Sequence, residues 1–187
     1  GVLTIEDVTH PFCAPCVVDV KMGTQTWQPG CSDAYRTRKM AQDAACTTQA
    51  LGFRFSGACL PGATFGHDFG WYATTDALML NCWRALLACV PRARVLEVLA
   101  TFAARVREVR DAVAGAEWSF IASSLLFVFE GAPGKWTEPA VVLVDFEHAE
   151  RTPGTVDRGF LFGCDSLLRF FGLLQQEQQA AEHHEEK

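Results

Sequence analysis

The stretch Val17–Met22 constrains the fold more than any other part of the sequence, because an acid and a base alternate in it with valines. Successive side chains of a strand point to opposite faces, so Asp19 and Lys21 share one face while Val18 and Val20 share the other. The sequence therefore predicts a strand with one buried face. The charged pair is either an ion pair at a sheet edge or a site that holds a phosphate on Lys21 and a sugar hydroxyl on Asp19.

The composition indicates a single folded domain. The chain has 187 residues, of which 49% are hydrophobic, and five Trp and 14 Phe supply large core side chains. This content excludes disorder for most of the chain. The formal net charge of −6 argues against general nucleic-acid binding, although a local basic cluster can still hold an anion. No apolar run approaches the ~20 residues of a membrane helix, and we expect a monomer without a membrane span.

The chain contains eight cysteines, of which Cys13 and Cys16 form a C-x-x-C pair. A zinc site needs a second close pair, and Cys82 and Cys89 are too far apart to supply one. The pair is therefore either a redox motif or two of several reduced, mostly buried thiols. We expect reduced thiols, and hence a cytoplasmic or nuclear protein.

A basic helix is predicted from about Asp33 to Ala45, because Ser32 is a suitable N-cap. Arg36 and Lys39 share a face of this helix, and Arg38 lies to the side. The helix is either an ordinary solvated surface or, in a chain that is acidic as a whole, a patch that holds a small polyanion.

Periodicity and turn residues place the other elements. Helices are predicted from Thr75 through a stripe that reaches Leu86, from Pro91 to Gly115, and from Asp165 to Gln179. Strands are predicted at Leu3–Val8, Leu51–Ala58, Ser119–Glu130 and Ala140–Phe146, the last two as an antiparallel hairpin. The segment from Gln175 onward is polar and is expected to fray.

An acid and a histidine follow the buried run Val141–Val144, at Asp145 and His148. An acid at the end of a buried strand beside a histidine is a common arrangement for a metal–phosphate site, and it is equally common at the start of a turn. His183 and His184, which lie among glutamates, are a weaker candidate for a metal site.

Five motifs, taken together and in order, resemble the inositol polyphosphate kinase family over nearly the whole chain. They are Glu6–Thr9, Pro15–Gly23 with the pattern P-x-x-x-D-x-K-x-G, Ala122–Glu130, Val144–His148, and Asp157–Phe160 leading to Gly163. Within the family, the multikinase branch of plants and protists is the most similar, on the segments Gly23–Pro29 and Thr47–Gly57. The trisphosphate 3-kinase and hexakisphosphate kinase branches remain open.

The resemblance implies an α+β, protein-kinase-like inositol polyphosphate kinase fold with ATP in a cleft between two lobes. This chain would supply mainly the C-terminal lobe, with an antiparallel sheet and packed helices. Residues 1–9 would be a hinge segment, residues 10–180 the catalytic domain and residues 181–187 a polar tail. Family members carry an N-terminal lobe before the hinge. Because the sequence begins almost at the hinge, we expect a fragment or a processed chain.

The resemblance also implies ligands for ATP and Mg²⁺. The backbone of Glu6 and Val8 would meet the adenine, and Asp19 would bind the ribose hydroxyls. Val144 would line the nucleotide site, and Asp145 would hold the magnesium ion. Phosphoryl transfer needs positioning and charge neutralisation more than covalent chemistry, and these residue types suit that task.

For the substrate, the resemblance implies a soluble inositol polyphosphate, such as a trisphosphate or tetrakisphosphate, phosphorylated on a ring hydroxyl by in-line transfer. Lys21 would contact both the transferring phosphate and the attacking hydroxyl, and Lys21, Asp19 and Asp145 would be the catalytic set. The substrate pocket would comprise Lys21, Arg36, Arg38, Lys39, Ser123, Ser124 and His148. The basic helix matches the family by region, not residue by residue.

Three departures from the family pattern bear on the substrate. Trp71 follows Gly70 where the family has an arginine, Ala41 and Gln42 stand where plant-like members have lysines, and Glu147 replaces an alanine. Two other functions remain open: a silent inositol phosphate-binding module that lacks the nucleotide-covering lobe, and a cysteine-based metal or redox protein that uses the C-x-x-C pair.

Overall fold

The computed structural model describes residues 4–66 and 68–185. The strands in this part are β1 (Pro15–Met22), β2 (Phe53–Leu60), β3 (Ala63–Phe65), β4 (Trp118–Phe120), β5 (Ser124–Glu130), β6 (Ala140–Val144) and β7 (Ala149–Arg151). The helices are α1 (Asp33–Ala44), α2 (Thr47–Leu51), α3 (Phe69–Tyr72), α4 (Asp76–Leu87), α5 (Arg92–Gly115) and α6 (Arg158–Glu185). No helix in the described ranges combines the length and the apolar character that crossing a membrane requires.

A five-stranded antiparallel sheet in the order β3-β2-β1-β5-β6 forms the centre of the fold, and β4 and β7 make a separate two-stranded ribbon. The predicted strand β1 lies in the middle of the sheet. Its alternate residues Cys16, Val18, Val20 and Met22 are fully buried, as the alternating pattern indicates. The prediction of an α+β fold with an antiparallel sheet is confirmed.

Helices α4, α5 and α6 cover the buried face of the sheet through a cluster of aromatic rings. Trp83 of α4 is fully buried. Its ring centroid lies 5.1 Å from that of Phe55, 5.4 Å from that of Phe127 and 5.1 Å from that of Phe171. Phe55 and Phe127 belong to β2 and β5, so the indole joins two strands to α6. The opposite face of the sheet stays free to form a cleft.

Helix α6 crosses the start of β2 at a point where two glycines touch. A Cβ on Gly163 would lie 2.1 Å from the Gly52 carbonyl oxygen, and one on Gly52 would lie 2.6 Å from the Gly163 nitrogen. Gly52 also has a φ of 69°, which non-glycine residues rarely adopt. The close approach allows α6 to pack directly against the sheet.

The predicted helices α1, α4 and α5 and the β5–β6 hairpin are confirmed within a few residues. The predicted N-caps operate as expected, because Ser32 Oγ accepts a hydrogen bond from the Tyr35 amide and Thr75 Oγ1 accepts one from the Leu78 amide.

The predicted strand at Leu3–Val8 is wrong for residues 4–8, and Leu3 lies outside the described residues. The carboxylate of Asp7 accepts hydrogen bonds from the amide and the hydroxyl of Thr9, at 2.9 and 2.7 Å. Such side-chain bonds to the backbone stabilise a turn in competition with a strand.

The prediction of one strand from Ser119 to Glu130 is also wrong, because the chain breaks into β4 and β5. Between them Ala122 has a φ of 58°, and the Ser123 amide donates to the Phe120 carbonyl at 3.2 Å. The segment contains no Gly or Pro that would mark the turn, and most of its apolar residues favour strand.

Helix α6 begins at Arg158 and reaches Glu185, so the predicted start at Asp165 and the predicted fraying from Gln175 are wrong. Asp157 accounts for the earlier start, since its Oδ1 accepts a hydrogen bond from the Phe160 amide at 2.9 Å. Farther along, Glu177 forms a two-point ion pair with Arg84 of α4, at 3.0 and 2.6 Å. This pair, together with glutamine, glutamate and alanine as good helix formers, extends the helix.

The buried side chain of Glu130 anchors the segment that precedes β1. Glu130 is 5% exposed, and its carboxylate accepts hydrogen bonds from the amides of Cys13, Ala14 and Ala132 at 2.8 to 2.9 Å. Burial raises the pKa of Glu130, but these amide bonds outweigh it and hold the pKa below the usual value. The carboxylate therefore stabilises the fold in its charged form.

We expect Glu130→Gln to lower the free energy of unfolding by about 2 kcal/mol at pH 7, because hydrogen bonds to a charged group are lost. Since the pKa is lowered in the folded state, the stabilisation is complete above the unfolded value of about 4.3 and is lost as the pH falls through the folded pKa. Urea unfolding at pH 7 and at pH 3.5 measures this, with Glu138→Gln, an exposed acid, as control. An equal loss at both pH values contradicts the assignment.

Candidate active site

A row of paired residues crosses the free face of the sheet at Lys21. Arg54 of β2 and Ser124 of β5 pair with Lys21 on either side, and Val144 of β6 pairs with Ser124. Directly paired residues point to the same face of a sheet. Asp145 follows Val144, so strands from distant parts of the chain bring Lys21 and Asp145 to one place.

The ammonium of Lys21 has two hydrogen-bond partners, and both belong to residues whose backbone has an unusual, positive φ. Its Nζ donates to the Ala122 carbonyl oxygen at 2.7 Å and to Asp145 Oδ2 at 3.2 Å. Ala122 and Asp145, with φ of 58° and 72°, are the two non-glycine residues with positive φ in the described ranges. Such strain persists where the surrounding structure imposes it, and it is typical of functional sites. The Lys21 side chain is 17% exposed and that of Asp145 is 55% exposed.

A polar cavity of about 290 Å³ opens beside this pair, and we call it the cationic cavity. It is lined by Lys21, Thr26, Tyr35, Lys39, Arg54, Ser56, Ala122, Asp145, Glu147 and His148. Three of these residues are cations at neutral pH and two are acids. Lys21 and Asp145 pair with each other. The other charged residues of the lining are the cations Lys39 and Arg54 and the acid Glu147.

Lys39 and Arg54 form an unneutralised pair of cations. Burial lowers the pKa of Lys39, and the charges of Arg54, Arg38 and Lys21 lower it further, while Asp43 opposes them. Neither Lys39 nor Arg54 forms an ion pair with an acid in the described residues. Two adjacent cations without an acid bind a phosphate well, because its charge removes their mutual repulsion.

The loop after β1 holds α1, and therefore Lys39, in place. Asp43 is 1% exposed and accepts hydrogen bonds from the amide and hydroxyl of Thr26 at 2.9 and 2.7 Å. The buried contact ties the last turn of α1 to the cavity wall.

A second cavity, of about 690 Å³ and largely apolar, lies on the other side of Asp145, and we call it the apolar cavity. It is lined by Ile5, Glu6, Asp7, Val8, Leu126, Val142, Val144, Asp145 and Phe146. Ile5 is 78% exposed and Phe146 is 53% exposed. A flat aromatic base fits such a surface, where the backbone of residues 6 to 8 supplies polar groups at its edge.

Asp19 lies on the same face as Lys21 and pairs across the sheet with Leu126, which lines the apolar cavity. Its Oδ1 is buried and has no hydrogen-bond partner within the described residues. A buried carboxylate oxygen without a donor is costly. Asp19 itself lines neither of the two cavities, so its contact with a ribose stays a prediction.

The structure brings together most of the residues that the sequence predicted for the site. Lys21, Lys39, Asp145 and His148 line the cationic cavity, and Glu6, Val8, Val144 and Asp145 line the apolar one. Their roles toward ligands stay predictions.

The structure does not bring four predicted substrate residues into either cavity. Arg36 stacks on Trp27 at 4.8 Å and Arg38 on Tyr35 at 5.2 Å, so ring contacts hold both arginines. The side chains of Ser123 and Ser124 are buried. Ser123 Oγ donates to the Phe120 carbonyl at 2.7 Å, which stabilises the turn before β5. The predicted contact of these four side chains with a substrate stays a prediction.

Sequence reasoning missed Arg54 and Tyr35 as cavity residues. Arg54 lies between the buried Phe53 and Phe55 in the sequence. This alternation could have indicated that the Arg54 side chain lies on the opposite face of the sheet. Trp71, which stands where the family has an arginine, lies 6.0 Å from the Arg54 guanidinium. His183, the described member of the predicted histidine pair, is bonded to the Gln179 carbonyl within its own helix.

The acidic residues of the site fit a magnesium ion that is held mainly by a nucleotide. The described residues contain no group of three or more His, Cys, Asp and Glu side chains that would hold a metal alone. Magnesium sites in kinases use one or two carboxylates together with substrate phosphates. Asp145 supplies one exposed carboxylate at the border of both cavities.

Comparison with known proteins agrees with this geometry. A sequence profile described as inositol polyphosphate kinase matches residues 2–172. The inositol polyphosphate multikinase IPK2 of Oryza sativa subsp. indica is 30% identical over 193 residues, which cover 91% of this chain and 65% of the rice protein. The inositol polyphosphate multikinase beta of Arabidopsis thaliana is 28% identical over 214 residues, covering 98% of this chain and 69% of the relative. This chain therefore spans about two thirds of the length of these relatives.

A solved structure supports the fold. The inositol phosphate multikinase Ipk2 of S. cerevisiae, in complex with ADP and Mn²⁺, superimposes with a TM-score of 0.82 at 23% identity, over 90% of this chain and 82% of the yeast chain. The predicted resemblance to plant multikinases is confirmed by the rice and Arabidopsis relatives. With a sheet, a cleft and a profile match that all agree, the chain belongs to the inositol polyphosphate kinase family.

Proposed function

We propose that the protein is a kinase that transfers the γ-phosphate of ATP to a ring hydroxyl of a soluble inositol polyphosphate. One observation carries the proposal: Asp145 borders both the apolar and the cationic cavity, and its carboxylate is paired with Lys21 at 3.2 Å. A phosphate transferred from a nucleotide in the apolar cavity to a substrate in the cationic cavity would have to move past Lys21 and Asp145. The family membership and the ADP complex of the yeast multikinase support the same function.

Some residues of this chain would bind the two substrates, and others would neutralise the charge of the phosphate groups. The apolar cavity would take the adenine, and Lys39 and Arg54 would hold a phosphate of the inositol ring. Lys21, which lines the cationic cavity and pairs with Asp145, would neutralise charge on the phosphate being transferred and orient the attacking hydroxyl. Asp145 would hold a magnesium ion, which would supply positive charge to the phosphate being transferred.

A transfer assay tests this proposal. The protein is incubated with γ-³²P-labelled ATP, MgCl₂ and, in separate reactions, inositol trisphosphate, tetrakisphosphate and hexakisphosphate, and products are separated by anion exchange. We expect label in the product of the trisphosphate or the tetrakisphosphate. Calorimetric binding of inositol phosphates without any labelled product would favour the silent binding module instead. If neither binding nor transfer is detected, the proposal fails.

Glu147 is expected to weaken substrate binding, because it lines the cationic cavity, in which the substrate phosphates would bind. A single charge repulsion in a partly solvated site is worth about 1 kcal/mol, so Glu147→Ala should raise the affinity for inositol tetrakisphosphate by about threefold to tenfold. Calorimetry at low ionic strength measures the change.

The matched control is Glu150→Ala, which removes an exposed acid that does not line the cavity. This variant should bind within about twofold of the unmodified protein. The expected gain should shrink at high salt, because screening weakens the repulsion. An affinity that is unchanged in Glu147→Ala, with normal binding by the parent, contradicts the prediction for Glu147 but leaves the proposed function standing.

A further inference from the structure

Two thiols from distant parts of the chain face each other at the start of β1, away from both cavities. Cys16, the second residue of β1, is fully buried. Cys89 lies in the turn between α4 and α5 and is partly exposed. Their sulfur atoms are 3.4 Å apart. The exposed Cys13, which completes the C-x-x-C motif, forms no hydrogen bond with Cys16 in the described residues.

The surroundings give the two thiols different chemistry. A hydrogen bond from Cys16 lowers the pKa of Cys89 to about 7 against the opposing effect of burial. The same hydrogen bond, together with burial and the charges of Glu130 and Cys59, raises the pKa of Cys16. Cys89 is the more exposed of the two thiols and is therefore the one that a dissolved oxidant reaches first, and its thiolate is the nucleophilic form.

Packing around Cys16 leaves its sulfur few directions in which to move. A Cβ on Gly131 would lie 2.7 Å from this sulfur, so the absence of a side chain at Gly131 makes room for it. Cys89 Sγ also lies 3.4 Å from the Leu86 carbonyl oxygen, at the end of α4. A disulfide bond is about 2 Å long, so the two sulfur atoms, 3.4 Å apart, would have to approach each other by about 1.4 Å to be joined.

We propose that Cys89 and Cys16 form an oxidation site, at which a hydroperoxide such as hydrogen peroxide converts the two thiols into an intrachain disulfide. In the first step the Cys89 thiolate attacks one peroxide oxygen, the O–O bond breaks, and hydroxide leaves, which gives a sulfenic acid at Cys89. In the second step Cys16 gives up its proton and attacks the Cys89 sulfur. The S–S bond forms, the S–O bond breaks, and the hydroxide released takes up the proton as water. Two thiols are oxidised by two electrons, and the peroxide is reduced to two molecules of water.

The disulfide would join β1 to the helical layer. The two cysteines are separated by 73 positions in the chain, and a crosslink over a long loop restricts the unfolded state strongly. Oxidation should therefore raise the midpoint of thermal unfolding by several degrees, and a thiol reductant should reverse the shift.

Peptide mapping tests the site directly. The reduced protein is treated with hydrogen peroxide in small molar excess, blocked with iodoacetamide and digested without reductant, and the crosslinked peptides are identified by mass spectrometry. We expect the peptide pair that contains Cys16 and Cys89 to be the main crosslink. It should be lost in Cys89→Ser and in Cys16→Ser, and it should persist in Cys13→Ser.

A second readout separates the chemical roles of the two thiols. In Cys16→Ser the sulfenic acid at Cys89 has no resolving partner, so trapping of Cys89 by dimedone should increase at least threefold over the unmodified protein. Circular dichroism confirms that each variant is folded. A main crosslink between Cys13 and Cys16 would overturn the proposal, as would a Cys89 that remains a free thiol after Cys59 and Cys13 have been oxidised.

Discussion

Replacement of Asp145 by asparagine is expected to lower the rate of phosphate transfer by about a thousandfold. The amide has almost the shape of the carboxylate but lacks its charge, so it holds a magnesium ion poorly and no longer fixes Lys21 at 3.2 Å. If the proposed role is right, several kcal/mol of transition-state stabilisation would depend on this one group, and each 1.4 kcal/mol is about a factor of ten in rate. Steady-state kinetics with ATP and inositol tetrakisphosphate measures the loss.

A binding measurement distinguishes this loss from simple unfolding. Without its acidic partner, Lys21 is free to bind an anion, so calorimetry in the absence of nucleotide should show that Asp145→Asn binds inositol tetrakisphosphate at least as tightly as the parent. Glu150→Gln, an exposed acid two residues beyond His148, serves as control and should keep the parental rate. Normal turnover by Asp145→Asn would refute the assignment of the metal to this residue.

Replacement of Trp83 by alanine is expected to destabilise the fold by about 3 to 5 kcal/mol, since truncation of a large buried ring leaves a cavity. The indole contacts Phe55, Phe127 and Phe171. It therefore couples the sheet to α4 and α6, and the loss should be felt across the whole domain. Denaturant unfolding followed by circular dichroism measures the change.

Trp83→Phe is the matched comparison for this site. The indole N–H is buried without a hydrogen-bond partner in the described part of the chain, so phenylalanine removes an unsatisfied donor at the same time as part of the ring. We expect a loss well below that of the alanine variant. Equal losses for the two variants would show that ring contacts are not what Trp83 contributes.

The sequence was sufficient to predict those elements whose structure follows from the local spacing of apolar residues. The alternation in β1 predicted which side chains are buried, and the spacing of apolar residues predicted α5 with its end at Gly115. The meeting of Lys21 with Asp145 was expected only because the family resemblance related two separate motifs. The pairing of β1 with β5 and of β5 with β6 then explains that meeting in physical terms.

The sequence was insufficient to predict features that depend on how distant parts of the chain contact one another. Arg54 enters the cationic cavity because a register shift after Asp19 places it opposite Lys21, and a single sequence does not contain strand register. Arg36 and Arg38 carry the right charge, but their contacts with Trp27 and Tyr35 depend on how α1 is rotated. The break before β5 depends on a positive φ at an alanine, for which no residue preference gives a signal.

The position of Asp145 between the two cavities has a thermodynamic consequence. Any ligand that displaces or reinforces the Lys21–Asp145 contact from one side alters the charge presented to the other side. If the two cavities bind a nucleotide and an inositol phosphate as proposed, their occupancy is linked, and the factor by which the nucleotide changes the affinity for the inositol phosphate equals the factor by which the inositol phosphate changes the affinity for the nucleotide. The shared carboxylate of Asp145 would then be the group that couples the two binding equilibria.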